Sequence, residues 1–248
     1  MKIGIITGNS LRHRALGAQL NQEYEVIQYL EESIPNSNPK DILLQDYFLK
    51  VKESEISFFD KTKWSDKKVK KIFLPKGKIN DLDFTTEKLD DCDLIVIFGS
   101  SIIKDPLYSR ISDKKLINLH MGISPEYTGS ACNFWAMYDN NIQYVGGTIQ
   151  TLSKKLDMGK TLKYSYPILE EGLFNPFNFS MQAVEKTITS MPELIDDIDR
   201  CILNAIEPNG MKLIRHSKMK DFNVEIVKQF YENNIDLKNV TKRNLEKF

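Results

Sequence analysis

Nowhere in this 248-residue chain do apolar residues run for the roughly 18 positions a membrane-spanning helix needs. The opening Met1-Lys2-Ile3-Gly4-Ile5-Ile6-Thr7-Gly8 has no apolar core like that of a signal peptide. Together these predict a cytoplasmic protein without membrane insertion. Cysteine is scarce: Cys92, Cys132 and Cys201 lie far apart, none forms a C-x-x-C pair, and an odd number argues against a secreted disulfide framework. Reduced, buried thiols are expected. His13, His120 and His216 are too scattered to suggest zinc, so no metal is expected. Net charge is missing too. The 34 basic and 34 acidic residues cancel, which removes any global attraction to nucleic acid or to an anionic membrane. There is no internal repeat and no low-complexity linker.

What is present suits one large domain with a short extension. Hydrophobic residues make up 41%, enough for a core of ordinary size. Residues 2–7 read as a buried strand closed by Gly8-Asn9-Ser10, with a helix from about Leu11 to Gln22 that Ser10 can cap. Tyr24–Tyr29 reads as a second strand. This β-loop-α-β opening predicts an α/β domain with a parallel sheet. Residues 38–63 carry helical spacing at Leu43, Leu44, Tyr47, Phe48 and Val51. The Lys67–Lys71 charge run reads as a solvated face, and Ile72–Pro75 as a short strand or turn. Asp93–Ser101 holds the clearest buried strand, an unbroken apolar run ending in Gly and Ser. Further strands are expected at Leu116–Leu119, Val145–Leu152 and Thr161–Tyr166, and a helix at Asn133–Tyr138. Residues 178–206 show a long helical pattern that Pro192 should kink or divide. The Lys- and Asn-rich stretch 209–248 reads as a helical extension to a catalytic domain spanning 1–208.

The informative region is Ile117-Asn118-Leu119-His120-Met121-Gly122-Ile123-Ser124-Pro125-Glu126-Tyr127-Thr128-Gly129. Period-two alternation places Asn118 and His120 on the same side of a strand. The C-terminal end of such a strand is where open α/β sheets carry their sites. Downstream comes Asp157-Met158-Gly159, 37 positions after His120. Each residue alone has a plainer reading. Asn118 could cap a turn, His120 could be a satisfied interior histidine, and Asp157 could open a turn before Gly159. An Asn amide and a protonated His suit stabilisation of an oxyanion, and a nearby Asp favours the charged imidazole.

Asn-x-His, then Pro-x-Tyr-x-Gly, then Asp-x-Gly at this spacing resembles the formyltransferase family, which includes glycinamide ribonucleotide, methionyl-tRNA and sugar N-formyltransferases. The resemblance covers residues 90–165 well and the opening strand-loop-helix more loosely. It implies a Rossmann-like, mostly parallel sheet with helices on both faces, and 10-formyltetrahydrofolate as cosubstrate. It implies catalysis by Asn118, His120 and Asp157. Phe98, Gly99, Ser100 and Ile102, with Ser153 and Leu156 on a facing loop, would border the folate. Gly8, Asn9, Ser10 and Arg12 would form an anion site at the first helix. Tyr127 and Asn133 would also lie on the substrate side. Two departures bear on the substrate. The usual Tyr-Arg-Gly is Tyr127-Thr128-Gly129, and Gln150 stands where His is frequent.

Ala131-Cys132-Asn133-Phe134-Trp135 resembles the Asn-Phe-Trp stretch of enzymes acting on nucleotide-linked amino sugars; Phe134 and Trp135 also suit helix packing. The expected partners are therefore a nucleotide-linked amino sugar and folate, with no nucleic acid, and the role is surface polysaccharide (O-antigen) synthesis. A homodimer is compatible with the resemblance. The alternatives are another amine acceptor (glycinamide ribonucleotide or methionyl-tRNA), hydrolysis of formyl-folate, or a catalytically silent folate-binding protein.

Overall fold

Apolar runs too short for helices become strands buried on both faces. The computed structural model describes residues 1–32, 40–60, 62–82, 88–154, 157–169, 174–208, 212–233 and 235. The central strands are β1 (Lys2–Gly8), β2 (Glu25–Glu31), β3 (Lys70–Leu74), β4 (Leu94–Phe98) and β5 (Lys115–His120). After the short β6 (Tyr127–Gly129) come β7 (Gly147–Thr151) and β8 (Thr161–Ser165). Among the described residues, one sheet has seven strands in the order β3-β2-β1-β4-β5-β7-β8. Its first five strands are parallel; β7 and β8 run antiparallel to their neighbours. The order reverses between β1 and β4, so the loops after these strands flank a switch point. There the Thr7 hydroxyl donates to the Phe98 carbonyl at 2.5 Å.

Each face of the sheet is covered, as continuous apolar strands require. On one face Ile3, Ile5, Leu94, Val96, Ile117 and Leu119 pack against α1 (Leu11–Leu20) and α5 (Pro176–Thr189). On the other Ile6, Ile27, Ile95 and Ile97 meet Leu107 and Ile111 of α3 (Leu107–Ile111). Helix starts follow local chemistry. The Asp41 carboxylate accepts from the Leu43 and Leu44 N–H groups at the start of α2 (Ile42–Phe58). Asn175 does the same for α5, where Pro176 occupies the first turn. The long pattern at 178–206 divides into α5, α6 (Met191–Asp196) and α7 (Ile198–Leu203), with Pro192 in the first turn of α6. Lys70 and Lys71 of the charge run enter β3. Lys67, Lys68 and Lys70 are exposed, as a solvated charge run would be, whereas Lys71 pairs with Asp66 at 2.9 Å and is largely covered. Cys92 and Cys132 are buried free thiols, and Cys201 is half-buried.

The C-terminal stretch is more than helical. Arg215–Ser217 forms β9, which pairs in parallel with β6. It is followed by α8 (Val224–Glu232), whose Phe230 packs on Phe134 of α4 (Cys132–Tyr138). No described helix is long and apolar enough to cross a membrane.

Candidate active site

β5 ends the parallel half of the sheet. Asn118 lies between Ile97 of β4 and Gln150 of β7, and His120 lies opposite Thr148. Ile117 and Leu119 enter the core of one face, which leaves Asn118 and His120 together on the other. Asp157 arrives from the β7–β8 connection. Its carboxylate Oδ1 stands 3.3 Å from His120 Nδ1, and both side chains are 6% exposed.

The loop that delivers Asp157 is fixed at several points. The other carboxylate oxygen accepts from the Gly129 N–H at 2.8 Å. Its backbone carbonyl accepts from the Ser124 hydroxyl at 2.5 Å. Ser124 in turn donates its N–H to Thr148 Oγ1 at 3.0 Å, and its carbonyl accepts from Tyr164 at 2.8 Å. Asp157 adopts a left-handed backbone with φ of 53°, which Asp tolerates better than most residues. The Gly of Asp-x-Gly has a steric reason: a Cβ on Gly159 would stand 1.7 Å from the Thr151 carbonyl oxygen.

The electrostatics favour a charged imidazole. Burial opposes the charge, but the Cys132 sulfur and the Asp157 carboxylate beside the ring outweigh it, holding His120 well above its ordinary pKa. Burial likewise opposes ionisation of Asp157. The charge of His120, the Gly129 N–H and His216 overcome it, and the carboxyl lies below its usual range. His120 Nε2 is 2.9 Å from the Tyr127 carbonyl oxygen. A carbonyl cannot donate, so Nε2 carries a proton. Both ring nitrogens are thus engaged within the protein.

The residues expected around this pair fall into groups. Phe98 and Gly99 close β4 next to β5; Gly99 has φ of 63°, Ser100 is half-buried, and Ile102 extends 58% exposed from the loop. Ser153 is half-buried in the facing loop, and Leu156 lies outside the described residues. Gly8, Asn9, Ser10 and Arg12 gather at the start of α1. There Asn9, Ser10, Leu11 and Arg14 line a cleft of about 400 Å³ with Lys52 and Glu55 of α2. Arg12 is turned to Glu55, with Nη1 to Oε1 at 2.8 Å. Tyr127 is buried, its hydroxyl held by Asp139 and Asn141, so it contributes its backbone carbonyl here. Asn133 is 4% exposed and accepts from the Gly146 N–H at 2.9 Å, which makes it a brace for that turn.

Several residues make contacts that the sequence did not show. His13 is buried between the loops after β1 and β4, with its ring edge-on to Phe98 at 4.8 Å. Burial, then Arg12 and Lys76, push its pKa well down, so it is neutral and its Nδ1 accepts from the Ser10 N–H at 3.3 Å. Glu31 is buried at the end of β2 and accepts from the Gly77 and Ser101 N–H groups at 3.0 and 2.6 Å, pinning the loop after β4. Gln150 Oε1 is buried beside Asn118 without a partner among the described residues. His216 meets Thr128, 88 positions away in sequence, with Nδ1 to Oγ1 at 2.9 Å. Only the fold brings these groups together.

No family model matches the sequence, and no curated protein matches it. Solved structures do. A 4-N formyltransferase from Francisella tularensis aligns over 93% of this chain and 86% of its own, at 18% identity and a TM-score of 0.56. An N-formyltransferase from Helicobacter canadensis, solved with folinic acid and dTDP-3-aminofucose, aligns over 92% and 79%, at 14% identity and a TM-score of 0.55. A phosphoribosylglycinamide formyltransferase from Anaplasma phagocytophilum aligns over 88% and 98%, at 15% identity and a TM-score of 0.54. The chain has the formyltransferase fold.

Proposed function

We propose that this protein is an N-formyltransferase that moves the formyl group of 10-formyltetrahydrofolate to the amine of a nucleotide-linked amino-deoxysugar, in the cytoplasm, for surface polysaccharide. The observation that carries formyl transfer is the buried His120–Asp157 pair with Asn118 two positions back on the same strand face. A solved neighbour bound to dTDP-3-aminofucose, together with the Asn133-Phe134-Trp135 stretch, favours the sugar acceptor over glycinamide ribonucleotide. We read residues 1–208 as the catalytic domain, with the chain beyond as its extension.

In this reading the acceptor nitrogen bonds to the formyl carbon, and the carbon–N10 bond of the folate then breaks. The acceptor nitrogen loses a proton and N10 gains one. The Asn118 amide and the His120 Nε2–H donate to the oxygen that becomes negative between these events. His120 must therefore release the Tyr127 carbonyl as substrate binds, and Asp157 keeps the imidazole charged while it turns. Asp157 also takes part in moving the proton between the nitrogens. The unpartnered Gln150 Oε1, beside Asn118, suits an N–H of the bound folate. The described residues contain no group of three or more His, Cys, Asp or Glu that could hold a metal.

The test is tetrahydrofolate release and product mass. Formyl-folate is supplied with a panel of nucleotide-linked amino sugars, glycinamide ribonucleotide and methionyl-tRNA. A formylated amino sugar, absent in His120→Ala, is expected. Equal folate release without any amine would instead indicate a hydrolase. Tight folate binding with no turnover would indicate a silent folate-binding protein.

A further inference from the structure

We propose that His216, carried in by the C-terminal strand β9, binds an oxygen of the acceptor at the mouth of the site and helps set which acceptor is used. This rests on the transfer reading above and extends it to the acceptor side. His216 is exposed, whereas its partner Thr128 is 4% exposed. The Thr128 hydroxyl, 2.9 Å from Nδ1, fixes the ring on that side. When the hydroxyl donates, the imidazole proton sits on Nε2 and faces away from Thr128, a donor free to meet a ligand.

The strand holds this donor in place. On one side, Arg215 makes a bidentate pair with Asp139 at 2.8 and 2.6 Å and lies over the Trp135 ring at 4.6 Å. On the other, the Ser217 carbonyl accepts from the Ser130 N–H at 3.0 Å, and its hydroxyl donates to the Ser130 carbonyl at 2.6 Å. An exposed polar side chain between two anchored neighbours has little freedom to lose on meeting a ligand. Its position is also next to the chemistry. Thr128 precedes Gly129, whose N–H binds the Asp157 carboxylate. An outward N–H suits a hydrogen-bond-accepting oxygen, whether a sugar hydroxyl or a phosphate.

The experiment is steady-state kinetics of the full chain with both substrates varied. It compares wild type, His216→Ala, His216→Gln, Thr128→Val and the Ala–Val double variant. We expect His216→Ala to raise the acceptor KM about tenfold, the scale of one hydrogen bond, with the formyl-folate KM held within about twofold. His216→Gln should recover part of the loss. Thr128→Val should shift the acceptor KM the same way by less, and add little on top of His216→Ala. Repeating the comparison with the amino sugar lacking its nucleotide separates the two oxygens. The penalty disappears if a phosphate is the contact and persists if a sugar hydroxyl is. An unchanged acceptor KM in His216→Ala overturns the proposal. So does a parallel rise in both KM values with a lowered melting temperature, which would make the residue part of the strand's packing alone. Wild type that formylates no amine removes the transfer reading itself, and this inference with it.

Discussion

In the proposed reaction His120 donates to the oxyanion, more strongly when charged, and its neighbours favour that charge against the cost of burial. Removing the carboxylate should undo this. In Asp157→Asn the His120 pKa is expected to fall toward its ordinary value, read by NMR titration of the ring, and transfer should drop by about a hundred- to a thousandfold. Unaltered titration would mean that Asp157 does not set the charge. The same pair shapes stability. The Asp157 pKa is depressed in the folded state, so its contribution is complete above the unfolded carboxyl value near about 3.9 and is lost as pH falls through the folded value. The His120 pKa is raised, so its contribution is complete below about 6.5 and is lost as pH rises through the folded value. Melting temperature against pH should therefore show a shallower acid limb for Asp157→Asn than for wild type. At this scale the sequence was legible in type and spacing: strand parity gave the shared face of Asn118 and His120. It could not show that Nε2 rests on the Tyr127 carbonyl, because that contact depends on how the loop after β5 turns back.

Elements differ in how plainly they announce themselves. β1 and β4 are apolar over nearly their whole length, and such runs have few other places to go. β7 and β8, beyond β5 at one edge of the sheet, could be read as strands but not as antiparallel, since direction is set by connections rather than by composition. β6 and β9 are three residues each, too short for any periodicity. Their pairing is nonetheless sterically exacting. Gly129 has φ of 92°, and a Cβ there would stand 2.0 Å from the Ser217 carbonyl oxygen. Gly129→Ala should push β9 off β6 and loosen the Asp157 carboxylate from the Gly129 N–H. A loss of about 1–3 kcal/mol in stability is expected, from the strained backbone and the overlap, together with a fall in kcat. Denaturant unfolding and turnover at a temperature where the variant is folded check the two effects separately. Wild-type values in both would show that the strand pair does not support the site.

The whole molecule ties its C-terminal helix to its site through one aromatic cluster. Tyr47 of α2, Phe134 of α4, and Phe222 and Phe230 from the C-terminal stretch meet with ring centroids 4.8 to 5.7 Å apart at Phe134–Phe230, Phe134–Phe222, Tyr47–Phe222 and Tyr47–Phe134. α4 begins three residues after β6, so this cluster and the β6–β9 pair brace the same loop from two sides. The clustered Val224, Ile226, Val227 and Phe230 suit a helix, as the helical reading of this stretch expects, but nothing in them names Phe134 as the surface they cover. If the cluster joins the C-terminal stretch to the rest of the fold, the two should unfold together. Phe230 is 4% exposed, and truncating such a ring costs about 3–5 kcal/mol. For a chain of this size each kcal/mol lowers the melting temperature by about 2–4 °C. Phe230→Ala should therefore melt roughly 6–20 °C below wild type, in a single transition seen alike by far-UV and near-UV circular dichroism. An early, separate transition would show that the C-terminal stretch detaches on its own. In that case β9 could not hold His216 or Gly129 in place at working temperature, because the strand and the helix lie on the same short run of chain.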